Sequence, residues 1–197
     1  MSGCFIAVEG LDGSGGTTQV QMLASRIAGA HITAEPSQGP IGLLIKQALR
    51  GEAPIADGLL PLLFAADRQD HLSREILPRL AQGGVVITDR YYASSLAYQS
   101  LSAPFDEVAR LNEGFRAPDV TLFLDLSPED CLERINVRGE AKERFETLDR
   151  LTLISASYGA TLAFLGARGE SITCVDARQS PEEVHARVWA AVAPCLP

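Results

Sequence analysis

The chain predicts a three-layer α/β fold built around a parallel sheet, and three observations carry that prediction. Five short apolar runs, at residues 5–9, 31–35, 85–89, 120–126 and 172–176, alternate with stretches of helical periodicity. Most of these runs are continuously apolar, the pattern of strands buried on both faces of a parallel sheet. A glycine-rich segment follows the first run and opens the first helical stretch, where α/β folds place an anion-binding loop.

The connecting helices are read in chain order. Val20, Leu23, Ala24 and Ile27 recur at helical spacing, and Gly29 offers a stop. Residues 59–80 read as one helical stretch, in which Phe64, Arg68 and His71 fall on one face. Ser95, Tyr98 and Gln99, at i, i+3 and i+4, would be presented together by a helix after the third strand. Ser127-Pro128-Glu129 places a cap residue before a proline at the first helical position. Ser180, Pro181 and Glu183 have the spacing of a capping box before the last helix.

At 197 residues, the chain is long enough to bury a sizeable core as a single domain spanning 1–197, without disulfides or a structural metal. No apolar run approaches the roughly 20 residues that a membrane span needs. The N-terminus lacks a basic region and carries Glu9 and Asp12, so it does not read as a signal peptide. The four cysteines, Cys4, Cys131, Cys174 and Cys195, form no CxxC pair and read as reduced, cytoplasmic and mostly buried. With 25 acidic and 17 basic residues the formal charge is −8, which argues against a general nucleic-acid binder. It leaves open a small phosphorylated ligand held by a local cluster of arginines. His31, His71 and His185 have no zinc-ligand spacing with one another or with the cysteines.

The strongest local signal is Gly10-Leu11-Asp12-Gly13-Ser14-Gly15-Gly16-Thr17-Thr18. Glycines there let backbone N–H groups converge on an anion at a helix N-terminus. The pattern GxxxxGK[ST] is met at Gly10, Gly15 and Thr17, but Gly16 stands where lysine is expected. Thr17 can still offer its hydroxyl to Mg²⁺. The plain alternative is a glycine-rich turn without a ligand. The dinucleotide pattern GxGxxG fails at Thr18, and the nucleophile pattern GxSxG fails because Asp12 precedes Gly13-Ser14.

Two further clusters point the same way. Asp89-Arg90-Tyr91-Tyr92 lies at the carboxyl end of the third strand, where an acid and an arginine can serve Mg²⁺ and phosphate; the alternative is a strand-end salt bridge. Phe64 and Arg68 could stack on and hydrogen-bond to a nucleobase; otherwise Phe64 is core and Arg68 a solvated charge. The charge-dense stretch from Arg134 through Arg138, Lys142 and Arg144 reads either as a lid, about 134–147, or as an exposed helix laced with ion pairs.

Taken in order, these segments resemble the thymidylate kinase family over nearly the whole chain. The resemblance rests on Phe5-Ile6-Ala7-Val8-Glu9-Gly10-Leu11-Asp12-Gly13-Ser14-Gly15, then Glu35-Pro36, then Leu63-Phe64-Ala65-Ala66-Asp67-Arg68. It continues through Asp89-Arg90-Tyr91-Tyr92-Ala93-Ser94-Ser95-Leu96-Ala97-Tyr98-Gln99, Pro118-Asp119, Leu122-Phe123-Leu124-Asp125 and Glu143-Arg144-Phe145-Glu146. It implies a P-loop nucleoside-monophosphate kinase: a five-stranded parallel sheet flanked by helices, with a lid, in a homodimer. The implied reaction is phosphorylation of dTMP to dTDP by ATP with Mg²⁺ as cofactor, on the route to dTTP.

The resemblance also implies roles. Asp12, Gly13, Ser14, Gly15, Gly16, Thr17 and Thr18 would cradle the ATP phosphates, with Thr17 and Asp89 serving the metal. Asp12, Glu35, Phe64, Arg68, Arg90, Ser95, Tyr98 and Gln99 would form the dTMP site. In it, Phe64 would stack on thymine, Arg68 would bond to a base carbonyl, and Tyr98 would pack beneath the deoxyribose. Asp89, Arg90, Arg138, Lys142 and Arg144 would supply the charge for phosphoryl transfer.

Two positions depart from the family pattern. Gly16 replaces the loop lysine, and Ala34 stands where the family often has an arginine before Glu35-Pro36. Both remove positive charge from one reaction centre. One reading is compensation by lid cations in an active kinase. The other is a catalytically impaired nucleotide-binding relative acting as a sensor or interaction protein. A third is a kinase for another pyrimidine monophosphate.

Overall fold

The structure, a computed structural model, describes residues 3–138 and 147–197. Strand β1 (Cys4–Gly10) occupies the centre of the sheet, and all seven of its residues are buried. Strands β3 (Val85–Asp89) and β4 (Val120–Asp125) pair with its two sides, and β2 (His31–Ala34) and β5 (Ile172–Asp176) form the edges. Every pairing is parallel, in the order β2-β3-β1-β4-β5. The unbroken apolar runs belong to the three inner strands. The edge strands are only partly buried, and their sequences alternate more.

Helices α1 (Gly16–Arg26) and α9 (Pro181–Val192) pack on one another and on the sheet. Helices α5 (Tyr92–Gln99) and α8 (Leu148–Ala167) form a second packed pair. The capping box before α9 is present: the Ser180 hydroxyl accepts from the Glu183 N–H, and the Glu183 carboxylate accepts from the Ser180 N–H. Helix α7 (Pro128–Arg138) starts as expected, with the Ser127 hydroxyl accepting from the Asp130 N–H at 3.1 Å.

Some boundaries differ from expectation. Residues 59–80 are not one regular helix. Helix α3 (Leu60–His71) passes through a wider π turn (Leu72–Ile76) into α4 (Leu77–Ala81). Pro78, in the first turn of α4, has no N–H to donate backward, so the α-helical bonding cannot run unbroken through it. Strand β2 stops at Ala34, just before the cis Glu35–Pro36 peptide. The first residues of the expected lid, 134–138, form the last turns of α7. Of the cysteines, Cys4 and Cys131 are buried, but Cys195 is half-buried and Cys174, on an edge strand, is exposed. Among the described residues, no helix is long and apolar enough to cross a membrane.

Parallel pairing brings the carboxyl ends of β1, β2, β3 and β4 to one edge of the sheet. Gly10, Ala34 and Asp89 terminate three of them, with Ala34 beside Asp89 in the register. The loop after β1 is linked to helix α2 (Pro40–Leu49) across this edge by a shared cavity.

Candidate active site

The loop between β1 and α1 needs glycine at two points. Gly15, the residue before α1, adopts a left-handed φ of +100°. Gly13 has a φ of +87°, and a Cβ there would lie 2.4 Å from the Cys131 carbonyl oxygen on α7. The loop therefore packs closely on α7 at Gly13 and lines a cavity of about 580 Å³. No side chain caps the first N–H groups of α1, which stay available to an anion.

Thr17 and Asp89 meet at the floor of this cavity, where the Thr17 hydroxyl donates to Asp89 Oδ2 at 2.6 Å. Two hard oxygen donors side by side form a set suited to Mg²⁺. Among the described residues there is no cluster of three or more His, Cys, Asp or Glu side chains able to hold a metal alone. The remaining ligands would have to come from substrate phosphates and water, as is usual for Mg²⁺.

Asp89 and Arg90 do not pair with each other. Arg90 turns away from the strand with a left-handed φ of +70°, a costly conformation outside glycine. Its Nη2 donates to Asp12 Oδ1 at 2.6 Å, and its Nη1 donates to the Gly10 carbonyl at 3.0 Å and to Ser94 Oγ at 3.1 Å. The Tyr98 hydroxyl donates to the other Asp12 oxygen at 3.0 Å. Asp12 is thus held between Arg90 and Tyr98.

Glu9 fixes this arrangement from below and was not singled out as a site residue from the sequence. It is 1% exposed and accepts from the Tyr91 N–H at 2.8 Å, the Ser94 hydroxyl at 2.5 Å and the Tyr158 hydroxyl at 3.0 Å. The bond from Tyr91 braces the peptide that follows the left-handed Arg90. Burial is the largest influence on the Glu9 carboxyl and pushes its pKa upward against these donors. Burial likewise holds the Tyr98 and Tyr158 phenols well above the ordinary tyrosine range, so both remain hydroxyl donors at neutral pH.

A second, smaller cavity of about 140 Å³ lies beyond Asp12, with Phe64, Arg68, Ser95, Tyr98 and Gln99 in its wall. Arg68 is neither solvated nor free. It is fully buried and donates to Glu35 Oε2 through Nε at 2.9 Å and Nη2 at 2.5 Å, and from Nη2 to Ser95 Oγ at 3.0 Å. Its Nη1 donates to Asn112 Oδ1, from the end of helix α6 (Phe105–Leu111). Phe64 is half-buried in the cavity wall rather than sealed in the core. The Gln99 carboxamide oxygen is buried without a hydrogen-bond partner. An unpaired buried amide is costly unless a ligand completes it.

The two cavities adjoin. Asp12, Glu35, Pro36 and Arg90 line both. Gly13, Ser14, Gly15, Gly16 and Thr18 line the larger one, while Lys142 and Arg144 lie outside the described residues, as does the side chain of Arg138. Arg134, read from the sequence only as part of a charged stretch, donates to the Ser14 carbonyl at 3.5 Å and the Ala177 carbonyl at 2.9 Å, in the wall of the same cavity. Lys46 of α2 also lines it and carried no recognisable pattern in the sequence.

Comparison with known proteins places the chain in a family. The family model for thymidylate kinase matches residues 8–188. A probable thymidylate kinase of Pyrobaculum calidifontis is 41% identical over 192 residues, which is 95% of each chain. The thymidylate kinase of Xanthomonas oryzae pv. oryzae is 38% identical, over 97% of this chain and 85% of its own. Among solved structures, a thymidylate kinase from Candida albicans superposes with a TM-score of 0.84 at 27% identity, covering 98% of this chain and 92% of that one. None of these lends support to a non-catalytic sensor. The chain belongs to the thymidylate kinase family of phosphotransferases.

Proposed function

We propose that this chain transfers the γ-phosphoryl group of ATP to dTMP, forming dTDP and ADP. One observation carries the reading: a phosphate-loop cavity and a nucleobase-sized cavity join at Asp12 and Arg90. Donor phosphates on one side and an acceptor monophosphate on the other would face each other at that junction. Phosphoryl transfer asks the protein mainly for such positioning and for charge stabilisation.

In this reading each residue takes a role. The backbone of residues 12–18 holds the ATP phosphates at the start of α1. Thr17 and Asp89 would hold Mg²⁺, which when bound neutralises charge on the donor phosphates. Arg90, fixed by Asp12 and Ser94, presents its guanidinium to the phosphates at the junction. In the smaller cavity Phe64 stacks on the base, and the Arg68 guanidinium, preset by Glu35 and Asn112, donates to a base carbonyl. The unpaired Gln99 carboxamide takes the base edge beside Ser95. Tyr98 lies against the sugar. The cation that Gly16 omits is assigned to one of Arg138, Lys142 and Arg144.

The same reading includes a homodimer in the cytoplasm, where free cysteines stay reduced. Leu43 and Leu44 of α2 and Leu62 of α3 are exposed by 38–50% on two helices that pack together, an apolar area suited to a second copy. Sedimentation equilibrium tests the dimer, which a purely monomeric mass would exclude. Turnover is tested by ADP release with dTMP, dUMP and dCMP in parallel; dTMP is expected to give the highest kcat/KM.

A further inference from the structure

We propose that Lys46 is the cation that grips the acceptor phosphate in this chain, taking the place left open by Ala34. This rests on the dTMP kinase reading and assigns one of its binding contacts. Ala34 ends β2 beside Asp89 and lines the larger cavity with Glu35, Pro36 and Arg90, where its methyl group offers no charge. Lys46 enters the same cavity from α2.

Three cations line that cavity among the described residues: Lys46, Arg90 and Arg134. Arg90 is tied to Asp12, and Arg134 to two main-chain carbonyls. Lys46 is half-buried, and its ammonium group makes no hydrogen bond or ion pair among the described residues. Its attracting carboxylate, Asp67, is already engaged: the Ser37 N–H donates to it at 2.7 Å and the Ser37 hydroxyl at 2.6 Å. Burial, the largest influence, lowers the Lys46 pKa. An anion bound beside the ammonium would restore what desolvation removes.

The backbone sets Lys46 in place. Gly42, one turn earlier on the same helix face, lies so close to the loop that a Cβ would sit 2.2 Å from the Ser37 carbonyl oxygen. Helix α2 is therefore seated directly on the Ser37 loop that follows Pro36. The Gly39 N–H, donating to Ser37 Oγ at 3.0 Å, ties its start to the same residue. A lysine held there meets a phosphate as a mobile point charge, opposite the fixed fork of Arg90.

The test is calorimetric binding of dTMP and of uncharged thymidine to wild type, Lys46→Met, Lys46→Arg and the double variant Lys46→Met/Ala34→Arg. Lys46→Met should weaken dTMP binding by about 10–100-fold, as expected for a lost charged contact, and leave thymidine binding unchanged. Lys46→Arg should stay within a few-fold of wild type, and Ala34→Arg should restore dTMP affinity to the Met variant. In turnover, KM for dTMP should rise while KM for ATP holds. Equal dTMP affinity in Lys46→Met and wild type overturns the proposal, as does an equal loss for thymidine. Wild type that binds neither ligand would overturn the kinase reading itself, an outcome distinct from a silent Lys46.

Discussion

The guanidinium of Arg68 and the carboxylate of Glu35 form a fully buried pair, joined by Nε at 2.9 Å and Nη2 at 2.5 Å to one carboxylate oxygen. His71 Nδ1 lies 3.3 Å from the other oxygen. The pair links α3 to the residue just past β2, and so fixes the back wall of the smaller cavity. It holds the fold together there, and in the proposed reading it would also aim Arg68 at a base.

Removing one partner leaves the other charge buried and uncompensated. Glu35→Gln is expected to cost about 3–5 kcal/mol of stability. The double variant Glu35→Gln/Arg68→Met should cost less than the sum of its singles. Urea unfolding of the four proteins checks this; additive losses would show that the pair is not a unit.

Asp89→Asn removes the negative charge from one of the two side chains proposed for the metal. It should weaken the apparent Mg²⁺ affinity by about 10–100-fold, the usual cost of disturbing a metal's supporting shell, with little change in dTMP binding. Mg²⁺ titration of turnover separates the two. An unchanged Mg²⁺ dependence would remove Asp89 from the metal site.

Gly16→Lys restores the residue common in phosphate loops, yet a Cβ at Gly16 would sit 3.1 Å from Asp89 Oδ1. The carboxylate that accepts from Thr17 would have to give way. The gain in kcat should therefore stay below about tenfold, although one added donor can supply 10²–10³ elsewhere. A hundredfold rise would mean that no other cation has assumed the role.

Glu9 has a pKa raised by burial in the folded protein. The folded state then holds a proton that the unfolded state releases, so stability falls as pH rises from the ordinary carboxylate range through the raised value. Glu9→Gln should flatten that decline while lowering kcat, because an amide NH2 replaces one of the two oxygens: Oε1 accepts from the Tyr91 N–H, and Oε2 accepts from the Ser94 and Tyr158 hydroxyls. Unfolding curves at acidic and neutral pH, set beside kcat, test both effects. A parallel pH dependence in both proteins would contradict the assignment.

The sheet and the phosphate loop were legible because each rests on local chemistry: continuous apolar runs and clustered glycines. The grouping of Ser95, Tyr98 and Gln99 was legible from helical spacing alone. Glu9 was hidden because an acid inside an apolar strand looks like any strand-end charge until Ser94, Tyr158 and the Tyr91 amide converge on it from elements up to 149 residues away. The sequence offers Arg68 either as a solvated charge or as a donor to a base carbonyl; nothing local shows that Glu35, 33 residues earlier, buries it. Asn112 and Lys46 were silent for the same reason. Each is a single polar residue on a short helix or just past its end, and its meaning lies in what tertiary packing sets opposite it. The break in the helix over residues 59–80 was written in Pro78, though the periodicity around that proline concealed it.

Steady-state ADP release with dTMP, ATP and Mg²⁺ tests the joined cavities most directly, with thymidine in place of dTMP as the control. Release that saturates with dTMP, needs Mg²⁺ and vanishes with thymidine is the result predicted. ADP release no faster with dTMP than with thymidine would contradict it.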